Sequence, residues 1–512
     1  MSSAGSASEL KQRRPWTSYV WDTWDKPPEE RRFLFKLDCC LLTYAALSYF
    51  SKYLDQQNIT NAYVSGMKED LGLTGNDLNY ITTAWTCGYV IGQIPSNLLI
   101  TRIRPSIWIP AMELIWSVLT MVLATTTNFS SVVAIRFFVG LAESTFYPAI
   151  SYVIGSWYKG EELAKRACIF HTASAIGPMF SGFLQTGAYN GLNGVRGLPG
   201  WKWLFVIDGI ITIPIALLGF VIMPDHPSNT KPSFLYTEEQ LRIANERVEK
   251  IGRKPPAHYT KAKVLGFFTT WHLYTLVPLY ILFNNGSYPA QSMIFWFKSF
   301  TVEEHGRAFT IGQINTYPLG QNVLQAITTL VWAWWSDAIQ KRWPPILFAG
   351  CWNMAVVIAL AATPVYSHIA RRWALYYMTH ITSGLSGIIL TWANELTSDD
   401  SEKRSFVVAC CNTFAYVFQA WLPIVIIPQV EQPRVLKGNI TTACIMVGMM
   451  AFAMLTLYFS RRDDRRVAAK ARALTEDGDS VIVGDHSTDP SRKTSLDKLD
   501  GIAVVEATVK PL

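Results

Sequence analysis

Apolar runs of about 20 residues, each long enough to cross a bilayer as a helix, alternate with short polar stretches along most of the chain. They fall at roughly 37–55, 79–99, 106–126, 131–157, 167–189, 203–223, 268–289, 311–335, 345–364, 373–393, 405–428 and 440–460. A longer polar stretch, Pro224–Lys263, separates the first six runs from the last six. It holds Glu238, Glu239, Arg242, Glu246, Arg247, Glu249 and Lys250, and it predicts a short amphipathic helix with flexible flanks. The ends are polar. Residues 1–32 contain no apolar segment before a small-residue cleavage site, so no signal peptide is expected. Residues 462–512 read as a disordered tail. The pattern predicts an all-α membrane protein of about twelve transmembrane helices. Its bundles are expected at 33–224 and 264–461, joined by a central loop at 225–263.

Composition agrees. Half of the 512 residues are hydrophobic and only 16% are charged, against about 25% in a soluble domain. The net charge of +7 is no nucleic-acid footprint, because its Lys and Arg cluster in loops. With the N-terminus inside, inner loops carry Arg102, Arg104, Lys159, Lys165, Arg166, Lys341, Arg342, Lys403 and Arg404, and the last run ends in Arg461 and Arg462. Outer loops carry fewer, with Arg371–Arg372 as an exception. This bias puts both termini in the cytosol. The eight cysteines all fall in apolar runs without metal-site spacing, and read as packing residues. No cofactor is expected. A membrane enzyme is disfavoured, since the chain has no Gly-x-Ser-x-Gly elbow, phosphate loop or His-rich cluster.

Charge inside the apolar runs is where chemistry is expected. Arg136 and Glu143 lie in Arg136–Pro148, within the run 131–157. Seven residues apart, they share one helix face about 10 Å apart. A charge facing lipid costs at least a few kcal/mol, so that face looks into the bundle, as a pathway wall or as a structural ion pair. His171 and His380 lie in runs five and ten, where structural hydrogen bonding is the first expectation. Asp208 is expected to pair at a helix end, with cavity-lining as the alternative, Asp38 and Lys36 to snorkel or pair, and Glu395 to pair near Lys403 and Arg404. The sequons at Asn58, Asn128, Asn285 and Asn439 lie in or near runs, so little glycosylation is expected.

Several segments resemble a known family. Tyr53-Leu-Asp-Gln-Gln-Asn-Ile-Thr-Asn-Ala62, Tyr63-Val-Ser-Gly-Met-Lys-Glu-Asp-Leu71 and Gly92-Gln-Ile-Pro-Ser-Asn-Leu-Leu99 are three of them. Arg136–Pro148, Gly155-Ser-Trp-Tyr158, Gly200-Trp-Lys-Trp-Leu-Phe-Val-Ile-Asp208 and Trp392-Ala-Asn394 complete the set. Over about residues 33–460 the chain resembles the major facilitator superfamily, with two pseudo-symmetric six-helix halves. Within it, the chain is similar to the anion:cation symporters and to the fungal pantothenate and vitamin permeases. The resemblance implies proton coupling at Asp55 and Glu143, and cavity-lining or substrate-binding roles for Arg136, Tyr89 and Asn412. Where the family has Asp-Arg at the end of the first span, this chain has Asp55-Gln56. The usual anion contact is replaced by an amide.

Asp55 and Glu143 ionised beside Arg136 sum to −1, and both protonated give +1, so proton and anion favour each other's binding. Arg136 is then the main cation at this depth, and Gln56 can hydrogen-bond a carboxylate or an amide. The expected function is proton-coupled uptake of a small organic anion by a monomer in the lipid bilayer of the plasma membrane. Pantothenate is the first candidate. Biotin, nicotinate, allantoate or a secondary metabolite, export, and a non-transporting nutrient sensor stay open.

Overall fold

The computed structural model describes residues 22–483 apart from 100–102, 159, 228, 233–234, 250–264, 340 and 398–400. The first six crossings are α1 (Pro28–Asp70), α2 (Asp77–Leu99), α3 (Pro105–Thr125), α4 (Phe129–Trp157), α5 (Gly160–Leu192) and α6 (Gly200–Ile222). A short helix, α7 (Glu238–Glu249), follows within the central stretch. The seventh crossing is broken into α8 (Trp271–Asn284) and α9 (Tyr288–Lys298), and the eighth into α10 (Ile311–Thr316) and α11 (Leu319–Ile339). Then come α12 (Trp343–Ala362), the paired α13 (Ile369–Thr379) and α14 (Ser386–Leu396), α15 (Ser401–Ile426) and α16 (Leu436–Val483). No strand occurs among the described residues.

Seven of these helices are long and apolar enough to cross a membrane on composition alone. The other crossings carry polar side chains or breaks, which a bundle tolerates when neighbours satisfy them. The first crossing departs most from its expected bounds. The apolar count ends at 55, but α1 runs on to Asp70 through π-turns at Asp38–Leu42 and Tyr63–Met67. Asp55 and Gln56 therefore sit near the middle of the crossing and not at its end. The second π-turn contains Gly66 at φ 118°, a backbone that glycine alone adopts cheaply. α4 breaks directly after Glu143, at Ser144–Thr145. Pro148 has no N–H to offer the Ser144 carbonyl four residues back, which accounts for the break.

Lipid gives helices no hydrophobic reason to associate, so close backbone packing and polar contacts hold the bundle. α2 and α4 meet through glycines. A Cβ on Gly88 would lie 2.1 Å from the Phe137 carbonyl, and one on Gly140 2.1 Å from the Trp85 carbonyl. α1 and α5 meet similarly at Gly177, where a Cβ would fall 2.8 Å from the Phe50 carbonyl. Hydrogen bonds join the two halves from the end of the molecule away from the tails. Lys298 donates to Glu69 at 2.9 Å, Asn315 to Ser65 at 3.0 Å, and the Gln429 amide to Asn76 at 2.8 Å. Deeper, Thr83 donates to the Ala420 carbonyl at 2.6 Å, and Thr413 to Gln93 at 3.1 Å.

At the end that carries Lys36 and Asp38, Asp38 pairs as expected, while Glu395 takes a different partner. Asp38 binds Arg166 at 2.7 Å and Tyr158 at 2.7 Å. Lys36 donates to Gln240 of α7. α7 buries Leu241 and Ala244, and its Arg247 reaches Glu162 at 2.5 Å and also binds Glu30. Glu395 pairs with Arg342 at 2.7 Å, in place of Lys403 or Arg404. Arg372, the exception to the loop-charge bias, is buried and donates to the Thr363 and Pro433 carbonyls. Residues up to Thr456 form one compact unit and Leu457–Leu512 a second. The last helix continues to Val483, through the first part of the stretch read as disordered.

Candidate functional site

The site is built on the middle of α1, where side-chain burial follows the helical period. Tyr53, Gln56, Gln57 and Thr60 form a half-buried stripe at spacings of three and four. Beside it Lys52, Asp55, Asn58 and Ile59 are buried. The stripe faces space between helices, and the buried row faces α2, α4, α5 and α6.

Arg136 of α4 is 2% exposed and donates to Asp55 Oδ1 at 3.2 Å. It does not pair with Glu143, although both lie on α4. Spacing along one helix fixed the face they share, while the partner of each came from α1. Glu143 is fully buried and accepts from Gln56 Nε2 at 3.2 Å through Oε2. Its Oε1 has no donor, nor has Asp55 Oδ2. The neighbouring residues Asp55 and Gln56 of α1 thus tie both Arg136 and Glu143 of α4 into one buried cluster.

Lys52 was not singled out in the sequence. It is 2% exposed, and its Nζ donates to Tyr89 Oη at 3.2 Å while lying 4.4 Å from the centre of that ring. Arg136 is therefore not the main cation here. It is compensated by Asp55, and Lys52 supplies a second positive charge. The signal was present, since Lys52, Asp55 and Gln56 lie at i, i+3 and i+4. It is readable only if the first crossing extends past 55.

Asp208 was also misplaced. It is 1% exposed inside α6 and accepts from Asn58 Nδ2 at 3.0 Å; its Oδ1 has no partner. A one-way chain of donors leads to it. Gln57 donates to Asn61 (3.2 Å), Asn61 to Ser181 (2.7 Å) and Ser181 to Asn58 (2.6 Å). Such chains polarise cooperatively, and this one starts on the half-buried stripe. A separate buried acid, Glu113 of α3, accepts from Tyr44 at 2.5 Å and Ser48 at 2.8 Å.

Tyr89 stands at the seam between halves, with Trp85 at 5.2 Å on one side and Tyr416 of α15 at 4.7 Å on the other. Asn412 is half-buried one turn before Tyr416, on the same face of α15. Tyr49, Tyr53 and Tyr147 add an aromatic wall, with centroids at 4.9 and 6.1 Å from Tyr49. The structure thus gathers Asp55, Gln56, Tyr89, Arg136 and Glu143 around α1 and α4, with Asn412 on the opposing half. His380 lies at the join of α13 and α14, its Nδ1 buried without a partner. The His171 side chain lies outside the described residues. Among the described residues no group of His, Cys, Asp or Glu has the arrangement of a metal site.

A bundle of twelve crossings with buried charges of both signs at mid-depth, between two halves, is the build of a multi-pass membrane transporter. The chain belongs to the Major Facilitator Superfamily, whose family pattern matches residues 45–423. It is 32% identical over 445 residues to the pantothenate transporter liz1 of Schizosaccharomyces pombe, covering 85% of this chain and 84% of that one. It is 31% identical to the pantothenate transporter FEN2 of Saccharomyces cerevisiae (80% of each chain), and 29% identical to that yeast's vitamin H transporter (90% of this chain, 78% of the other). Among solved structures it shares its fold with a D-xylose-proton symporter, at TM-score 0.59 and 11% identity, over 82% of this chain and 97% of that one.

Proposed function

We propose that this transporter takes up pantothenate, or a small carboxylate much like it, together with a proton. The observation that carries the reading is a buried cluster in which Asp55 and Glu143 each keep one unpartnered oxygen, together with Lys52 and Arg136. Its support on the substrate side is the similarity to two proteins named pantothenate transporters. A third relative, named for vitamin H, makes biotin the second candidate.

The charge count gives the coupling. With Lys52, Arg136, Asp55, Glu143 and Asp208 all ionised, two cations against three carboxyls sum to −1. One proton brings the site to 0 and two bring it to +1. A buried net charge is costly in low dielectric, so the stable empty carrier holds one proton. The stable loaded carrier holds two protons and the anion. These two neutral forms differ by one proton and one anion, which is electroneutral one-to-one symport. The proton that comes and goes is shared by the Asp55–Glu143 pair. Gln56 holds one Glu143 oxygen, while Tyr89 and Asn412 face the substrate from the two halves.

Bundles at 33–224 and 264–461, rocking about this site, supply alternating access. The loop charges support tails in the cytosol, and the bonds between halves at the opposite end then make this an outward-closed state. One chain carries the whole site, which suits a monomer, and uptake suits the plasma membrane. The test is uptake of labelled pantothenate and biotin by cells lacking their own permeases for these vitamins. Expression of this chain restores pantothenate uptake, faster at acid external pH. Failure to take up either vitamin overturns the substrate reading.

A further inference from the structure

We infer that Lys52 is the group that binds the substrate's carboxylate. The inference rests on the anion-transport reading above and adds to it the identity of the binding cation. Two cations are buried at this depth, and their states differ. Arg136 is matched by the buried carboxylate of Asp55 at 3.2 Å. The ammonium of Lys52, which carries three N–H donors, gives one of them to a neutral oxygen, Tyr89 Oη at 3.2 Å. Among the described residues no carboxylate lies within ion-pair distance of it. Glu143 makes no ion pair with it, and its Oε2 accepts from Gln56.

Position supports the same conclusion. Lys52 lies one turn before Gln56 on α1, so the two side chains are neighbours where the buried row meets the half-buried stripe. A cation at 52 does from one turn away what a cation at 56 would do. Tyr89 holds the ammonium at the seam between halves, because its ring also meets Tyr416 of the opposing half at 4.7 Å. An anion on Lys52 therefore sits beside the ring that joins the two halves. An ammonium in a dry site discriminates strongly between a carboxylate and a neutral isostere, because the unpaired charge is left uncompensated.

The test uses the purified full-length protein and equilibrium binding of pantothenate, compared with the alcohol in which a hydroxymethyl group replaces its carboxylate. Wild type prefers the carboxylate. Lys52→Gln weakens pantothenate binding tenfold or more and leaves the alcohol within about twofold, a contrast expected from losing one charge-assisted contact. Lys52→Arg keeps the preference. The double variant Lys52→Gln with Gln56→Arg returns a cation one turn away, and it recovers most of the lost affinity. Unchanged pantothenate binding in Lys52→Gln overturns the inference. So does equal loss of carboxylate and alcohol, or a well-folded double variant that recovers nothing. If wild type binds biotin and not pantothenate, the substrate reading fails alone, and the same contrast is read with biotin against its amide. If wild type binds neither carboxylate, both fall.

Discussion

At the scale of single residues, the two buried carboxyls have different partners. Asp55 compensates a buried guanidinium, and Glu143 is held through an amide. Asp55→Asn leaves Arg136 buried and unpaired, which typically costs about 3–5 kcal/mol. We expect a large fall in the thermal midpoint and yield of the purified protein, partly recovered by adding Arg136→Gln. Glu143→Gln keeps the shape and the hydrogen-bonding capacity toward Gln56. It should fold normally and exchange internal for external substrate. It should lose accumulation against a gradient and lose acceleration by external acid, since the travelling proton has lost half of its site. Counterflow measured beside pH-driven uptake, normalised to protein, separates these outcomes; normal uphill uptake by Glu143→Gln would leave Asp55 as the proton carrier. Spacing along the chain predicts the shared face of Arg136 and Glu143 but not their partners, because a partner on another helix is a property of packing.

At the scale of elements, most of the bundle was readable because a bilayer demands long apolar runs. The exception was the middle of α1. Its residues after 55 are polar, so a hydropathy count stops there, yet Asn58 and Asn61 are 0% and 2% exposed and bonded inside the bundle. That boundary put Asp55 at the end of its run, where Lys52, three residues earlier, reads as a helix-end side chain able to snorkel. Asp208 was misread for a related reason, since an acid near the start of an apolar run looks like a helix end until Asn58 is seen opposite it. Close helix packing gives a sharper prediction. Gly88→Ala places a Cβ 2.1 Å from a backbone carbonyl of α4, which cannot move as a side chain can. It should cost about 1–3 kcal/mol. Gly187→Ala, with no atom within 4 Å of the new Cβ, should be neutral or slightly stabilising. Thermal unfolding of the two variants in detergent decides between a packed α2–α4 seam and a loose one.

At the scale of the whole molecule, the bonds between halves set how readily the outer end opens. Lys298 and Glu69 are 26% and 58% exposed, so their ion pair is worth about 0–1 kcal/mol. Glu69→Gln should therefore shift the balance toward the outward-open state by about fivefold at most, read as faster labelling of a cysteine placed at Thr60. A shift of a hundredfold would mean the clamp does more than its exposure allows. The twelve crossings and the duplicated plan were legible in the chain; which end is closed was not, because it depends on contacts between residues hundreds of positions apart. Coupling of one proton to one anion is tested by pantothenate accumulation in proteoliposomes under an imposed pH gradient, at zero and at imposed membrane potential. Acid outside should drive uptake above the external concentration, a protonophore should abolish it, and membrane potential alone should drive nothing. Accumulation that ignores the pH gradient, or that follows the potential without it, would contradict the account.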